Sequence, residues 1–261
     1  MKPSNPRQQK GSINDPSVRF FEDYPIRSSF LKEYAEDLDK VGGWFWRGDL
    51  QMLDWLARRS FNAEGGVLEL GVHLGKMFIA MNMTVESGYS YAVDVFGDLD
   101  EYNVSHSGGN IIDQKQQFVR NVEEYDTRWR GTNVNITTED TMMLTPKEFG
   151  GNRFKIISID AGHHREHVMN DLRLSEQLLT RNGFVIVDDW MSSEWCGVTE
   201  GTIQYLKESR GLVPFASYHH KLYMCRYNSH HKYIEAMRGL NYKRNQIQLC
   251  GHVMYNVCQN S

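Results

Sequence analysis

Three aspartates that follow two apolar segments could together hold a metal ion. Asp160 follows the apolar run 155–159, and Asp188 and Asp189 follow the run 183–187. If both runs are adjacent parallel strands, the three carboxylates converge at one edge of a sheet. Carboxylates that close repel one another, and a hard divalent cation with oxygen ligands neutralises them. The pattern predicts a site for Mg²⁺, Mn²⁺ or Ca²⁺, unless Asp188 and Asp189 only cap a helix and Asp160 makes a structural hydrogen bond.

His163 lies three residues after Asp160, at the rim of this predicted metal site. An imidazole with an ordinary pKa near 6.5 can take a proton from a hydroxyl group at neutral pH. Such general-base catalysis contributes about 10² to 10⁴ in rate. We therefore predict that His163 is the catalytic base. His164 and His167 are expected on the outer face of the following helix, in solvent.

A glycine loop follows the first apolar run of the central region. Gly71 and Gly75 are four positions apart with His73 between them, which differs from the G-x-G-x-x-G spacing of dinucleotide sites. Glycines at the end of a parallel strand let the backbone approach a ligand closely. Glu69, two residues before Gly71, suits a ligand that carries an amino group. The loop is expected to contact a cofactor, although a plain strand-turn-helix junction is the alternative.

Asp94 ends the second apolar run, 23 residues after Gly71. An acid at about this distance accepts hydrogen bonds from ribose hydroxyls in nucleotide-binding relatives of this architecture. The alternative is a helix N-cap. Asp140 and Thr141 follow the third run, and we expect them either at the edge of an adenine or as a helix cap before Met142.

The elements that must position these residues follow from the apolar pattern. Five short, nearly continuous apolar runs separated by helix-length segments predict five parallel strands with right-handed crossovers. The pieces 214–218 and 221–227 predict a hairpin that adds an antiparallel edge. The predicted fold is therefore an α/β fold with a mostly parallel seven-stranded sheet and helices on both faces.

Four segments are predicted along the chain. Residues 1–17 form a flexible arm, 18–62 a helical cap, 63–228 the core that binds the cofactor, and 229–261 a C-terminal extension with a short helix and a strand near 246–257. The long polar loop 96–117 is expected to close over the site.

Composition limits the class of protein. A chain of 261 residues that is 40% hydrophobic fits one large domain. A net charge of -4 and a pI near 6.2 give no basic face for nucleic acid. The four cysteines show no CxxC spacing, and no apolar stretch reaches about 18 residues. We expect a soluble cytoplasmic protein without nucleic-acid or membrane partners.

These motifs resemble those of the class I S-adenosylmethionine (SAM)-dependent methyltransferases, which have a Rossmann-like fold. The narrower resemblance is to metal-dependent O-methyltransferases typified by the macrocin and mycinamicin sugar methyltransferases, with cephalosporin hydroxylase-like proteins nearby. The segment 69–75 resembles their first motif and 91–94 their ribose-binding strand. Asp160-x-x-His163 and the segment 183–189 resemble their metal and base motif. The match spans about residues 65–227, and His73 departs from the usual three-glycine form.

The resemblance implies divalent-metal-assisted methylation of a hydroxyl on a small molecule, such as a sugar or natural product. It implies Mg²⁺ at Asp160, Asp188 and Asp189, and a base at His163. The residues expected to contact SAM are Glu69, Gly71, His73, Gly75, Asp94, Asp140, Thr141 and Asp160. The alternatives are a metal-dependent hydroxylase on the same fold, or a SAM-binding or sugar-binding protein without turnover. Aromatic helices near the N-terminus favour a homodimer.

Overall fold

The structure, a computed structural model, describes five segments of the chain. These are residues 25–60, 63–85, 88–97, 113–126 and 133–257. The predicted arm 1–17 lies outside the described residues, as do residues 98–112 of the predicted loop over the site.

A nine-stranded sheet forms the centre of the fold, in the order β3-β2-β1-β4-β5-β7-β6-β9-β8. Neighbouring strands from β1 to β5 are parallel, and β7 is antiparallel to both β5 and β6. The five parallel strands and the antiparallel hairpin predicted from the sequence are therefore confirmed. The strands are β1 Gly66–Leu70, β2 Tyr89–Asp94, β3 Asn133–Thr138, β4 Phe154–Ile159, β5 Leu179–Val187, β6 Leu212–Tyr218, β7 Lys221–Arg226, β8 Arg244–Leu249 and β9 His252–Val257.

The sheet has two strands more than the seven predicted, because the C-terminal extension joins it. β9 is parallel to β6, and β8 is antiparallel to β9. The single strand predicted near 246–257 is interrupted by Cys250 and Gly251, whose φ angles are 49° and 83°. Two consecutive residues with positive φ form the tight turn of a hairpin. That turn converts one predicted strand into two.

Helices cover both faces of the sheet, as predicted. Side chains alternate between the faces along each strand, so that Val67 belongs to one apolar cluster and Leu68 to the other. The first cluster includes residues of α1, α2, α3, α4 and α7, and the second includes residues of α5 and α6. The helices are α1 Ser29–Asp37, α2 Arg47–Ala57, α3 Lys76–Asn82, α4 Gln114–Tyr125, α5 Arg165–Leu178, α6 Cys196–Glu208 and α7 His230–Arg238.

The segments that leave β1, β4 and β5 lie side by side at the carboxyl edge, our name for the edge where these parallel strands end. The backbone N–H of Asp160 donates to Leu70 O at 2.8 Å, and that of Asp188 donates to Ile159 O at 3.0 Å. The sheet ladder thus continues one residue beyond the strands and fixes the acidic residues next to the glycine loop. Within the described segments, no helix combines the length and the apolar character needed to cross a membrane.

Candidate active site

The glycine loop after β1 requires glycine for steric reasons. Gly71 has a φ of 86°, and a Cβ atom at this position would lie 2.0 Å from the backbone oxygen of Asp160. Gly75 has a φ of 89° and immediately precedes α3. His73, with a φ of 49°, is one of the non-glycine residues in the left-handed region. The loop therefore packs its backbone directly against the end of β4.

Asp94 holds this loop through its carboxylate. Oδ2 accepts the backbone N–H of His73 at 2.8 Å, and Oδ1 accepts that of Phe96 at 2.8 Å. Burial raises the pKa of Asp94, while these N–H donors act to lower it. Asp94 is not a helix N-cap, because the N–H groups that it accepts belong to loop residues and not to the first turn of a helix. Its contact with a ribose stays a prediction.

Glu69 is a buried acid with an unsatisfied oxygen. The residue is only 2% exposed, and Oε2 has no hydrogen-bond partner among the described residues. Burial, together with the nearby charges of Asp160 and Asp188, holds the pKa of Glu69 well above its ordinary value. A cationic group, such as the ammonium of SAM, would satisfy this carboxylate. The geometry thus fits the predicted cofactor.

Asp160, His163 and Asp189 form the centre of the carboxyl edge. His163 Nε2 lies 3.3 Å from Asp160 Oδ1 and 3.2 Å from Asp189 Oδ2. One ligand atom from each residue lies within 4.8 Å of the other two. Burial acts to lower the pKa of His163, but its hydrogen bonds to Asp160 and Asp189 outweigh burial and raise the pKa to about 9. Two carboxylate oxygens and an imidazole nitrogen are a donor set that fits a divalent metal ion.

Asp188 lies outside this group of three. Its Oδ2 accepts a hydrogen bond from the ammonium of Lys221, and its Oδ1 accepts the backbone N–H of Asp189 at 2.9 Å. Although burial acts to lower the pKa of Lys221, the carboxylates of Asp188, Asp49 and Asp160 raise it. The structure therefore brings two of the three predicted metal ligands together with the predicted base. A metal-ligand role for Asp188 stays a prediction.

The sequence analysis did not predict two residues that lie at this edge, Lys221 and Trp195. Lys221 begins β7 and is 2% exposed; a charged residue at the first position of an apolar strand was the available signal. Trp195 stacks on His163 with ring centroids 4.4 Å apart and an angle of 24° between the planes. A cleft of about 520 Å³ opens beside this pair, lined by His163, His164, Arg165, Glu166, Glu194, Trp195, Cys196, Gly197 and Glu200.

Asp140 and Thr141 lie where β3 leaves the sheet. Asp140 Oδ1 accepts the backbone N–H of Met142 at 2.9 Å and caps a short 3₁₀ turn, which is the alternative that the sequence left open. Contact with an adenine stays a prediction for both residues. The prediction that His167 lies in solvent is wrong, since the residue is partly buried. Its ring lies against Gly162, and its Nε2 is 4.0 Å from Asp140 Oδ1.

Comparison with known proteins gives one family match and several similar solved structures. Residues 68–190 match a family described as "Methyltransferase domain". The chain is similar to the crystal structure of CalS11, a calicheamicin methyltransferase, with 16% identity, a TM-score of 0.50, and coverage of 87% of this chain and 99% of that chain. It is also similar to a putative O-methyltransferase from Klebsiella pneumoniae, with 15% identity, a TM-score of 0.49, and coverage of 75% and 88%. No curated protein sequence matches the chain.

The fold and the carboxyl-edge loop define a Rossmann-like α/β protein of the class I methyltransferase type. The family match runs from residue 68, within β1, to residue 190, just after β5, and this part carries the glycine loop and the acidic centre. Residues 68–190 are accordingly similar to a methyltransferase domain, in agreement with the motif resemblance to SAM-dependent methyltransferases.

Proposed function

We propose that this methyltransferase transfers the methyl group of SAM to a hydroxyl of a small molecule with the help of a divalent metal ion. The observation that supports this most strongly is the convergence of Asp160, His163 and Asp189. This group lies beside the glycine loop, because Asp160 continues the ladder from Leu70. The cofactor edge, formed by Glu69, the glycine loop and Asp94, is thus adjacent to the acidic centre formed by Asp160, His163 and Asp189.

The residues of the cofactor edge divide the work of binding SAM. Glu69 would pair with the ammonium group, and Asp94, which already fixes the loop through His73, would accept the ribose hydroxyls. Gly71 and Gly75 let the loop backbone pack closely against Asp160 and Phe118, and this packing fixes the loop along which the cofactor would lie. Bound SAM supplies an electrophilic methyl group, and a divalent ion supplies a Lewis acid that favours ionisation of the acceptor hydroxyl.

The residues of the acidic centre would position and deprotonate the acceptor. Asp160 and Asp189 are the acids that hold the ion, which is Mg²⁺, Mn²⁺ or Ca²⁺, and His163 removes the hydroxyl proton at Nε2. Neutralising these two carboxylates removes the cause of the raised pKa of His163, so that the imidazole is unprotonated when it acts as a base. Stacking on Trp195 keeps its ring in one orientation.

The acceptor is a small hydroxyl compound of the sugar or natural-product type, and nucleic acid is not among the proposed partners. CalS11, described as a calicheamicin methyltransferase, has a similar fold. A hydroxylase of the two-histidine, one-carboxylate type is disfavoured, because the group found among the described residues has one histidine and two carboxylates. The homodimer and the cytoplasmic location stay predictions.

Calorimetric titration of the purified chain with SAM, in Mg²⁺ and again after chelation, tests the cofactor. We expect micromolar binding in both conditions, since the cofactor contacts are made by protein residues. Release of S-adenosylhomocysteine with a panel of sugar and phenol acceptors then tests the metal. Turnover should fall on chelation and return when Mg²⁺ is added. Absence of SAM binding would contradict the proposal that SAM is the cofactor. Turnover that chelation leaves unchanged would contradict the proposed requirement for a metal ion.

A further inference from the structure

Lys221 is a buried cation at the centre of the carboxyl edge. β5 and β7 are antiparallel, and Val187 is paired with Leu222. This register sets Lys221 opposite Asp188, the residue that follows Val187. The side chain of Lys221 is 3% exposed and that of Asp188 is 12% exposed, so water screens the ion pair little.

The pair also fixes the turn that carries Asp189. Asp188 Oδ1 holds the N–H of Asp189, whose φ is 54°, and Trp190 N donates to His220 O at 2.8 Å. A non-glycine residue keeps positive φ only where its surroundings enforce it. Lys221 and His220, both from the β6–β7 hairpin, therefore help to direct Asp189 toward His163.

We propose that Lys221 is the resident counter-cation of this site and keeps Asp188 out of the metal-ligand set. The ion would then be held by Asp160 and Asp189 beside the base His163, with Asp188 acting as a support. Lys221 also interacts electrostatically with Asp160, so that its positive charge weakens the attraction of the site for a cation. Lys221 is thus a positioning residue, and this inference rests on the proposed metal-assisted site.

The affinity of the purified chain for Mn²⁺, measured by electron paramagnetic resonance of the free ion, tests this inference. In Lys221→Met the ammonium is lost and Asp188 is released, so we expect Mn²⁺ to bind roughly tenfold more tightly than in the wild type. Lys221→Arg keeps the charge and should bind Mn²⁺ as the wild type does. Lys221→Met combined with Asp188→Asn should lose the gain, because the released carboxylate is absent.

A purely structural lysine would give the opposite result, since loosening the turn would weaken Mn²⁺ binding. Equal or weaker binding by Lys221→Met would therefore overturn the inference, as would a double variant that binds as tightly as the single one. If Lys221→Met unfolds without metal, the Mn²⁺-induced rise in Tm replaces the resonance measurement and should exceed that of the wild type. SAM binding is measured in the same preparations, and its absence would contradict the proposed cofactor while leaving the Mn²⁺ comparison intact.

Discussion

The carboxyl edge has a cofactor side, with Glu69, Asp94 and Asp171, and an acceptor side, with Asp160, Asp188 and Asp189. The negative charge of the carboxylates is compensated differently on the two sides. On the cofactor side, Glu69 Oε2 has no hydrogen-bond partner among the described residues, and neither has Oδ2 of Asp171, a residue of α5 that interacts with Asp140. Asp94 is held by backbone N–H groups. Burial raises the pKa of Glu69, Asp94 and Asp171. Among the described residues, none of these three acids forms an ion pair with a protein cation.

On the acceptor side, the three aspartates that follow β4 and β5 each face a basic side chain. Asp160 and Asp189 contact His163, and Asp188 contacts Lys221. The protein's own side chains therefore compensate most of the negative charge here, whereas no ion pair with a protein cation involves Glu69, Asp94 or Asp171 among the described residues. SAM carries a sulfonium and an ammonium group and suits the cofactor side. Charge substitutions should accordingly change catalysis on one side and cofactor affinity on the other.

The largest expected effect comes from removing the base on the acceptor side. His163→Ala should lower turnover by about 10² to 10⁴, because it removes general-base catalysis, while the affinity for SAM stays within about twofold. Turnover and calorimetric SAM binding are measured on the same protein. His164→Ala is the matched control, since its ring lies on the same cleft without touching Asp160 or Asp189. Equal turnover in both variants would refute the assigned base.

Gly71→Ala should damage the cofactor side next most severely. The added Cβ would lie 2.0 Å from Asp160 O, so the loop must shift away from β4. We expect SAM affinity to fall about 100-fold and stability to fall by about 1 to 3 kcal/mol. Gly251→Ala is a close control, because its φ of 83° is similar and no atom lies within 4 Å of the new Cβ. It should show the backbone strain without a loss of SAM binding.

The acidic centre was predictable as far as strand order determines it. Asp160 and Asp188 end adjacent parallel strands, so the apolar runs alone place them at one edge. The partner of Asp188 was not predictable, because it depends on the register of β5 with β7, which brings Lys221 from 33 residues away. Likewise, the position of His163 between two carboxylates depends on side-chain orientation in a turn. The local pattern of apolar and polar residues predicts neither the register of distant strands nor the orientation of a side chain in a turn.

Asp171→Asn tests whether the cofactor side contains uncompensated acids. Burial raises the pKa of Asp171 to about 7, above an unfolded value near 3.9. The folded state then binds the proton more tightly, so this residue makes stability fall as pH rises from about 4 to about 7. The variant should be more stable than the wild type by up to about 4 kcal/mol at pH 8, and it should lose that part of the pH dependence.

Urea unfolding at pH 5 and at pH 8 measures this difference. Glu33→Gln serves as the control, because Glu33 is exposed on α1 and its replacement should leave the difference between the two pH values unchanged. If Asp171→Asn is no more stable at pH 8 than the wild type, a cation compensates Asp171 after all. The contrast between the two sides would then be limited to Glu69 and Asp94.

Glu69→Gln should separate cofactor affinity from stability in a single variant. The amide has nearly the shape of the carboxyl group but no charge, so the buried-charge penalty disappears and Tm should rise. SAM should bind about tenfold more weakly, because its ammonium loses a charged partner. Calorimetry with SAM and thermal unfolding of the same protein measure both effects. If Tm rises while SAM affinity is unchanged, the ammonium of SAM lies elsewhere on the carboxyl edge, and the unsatisfied oxygen of Glu69 requires another ligand.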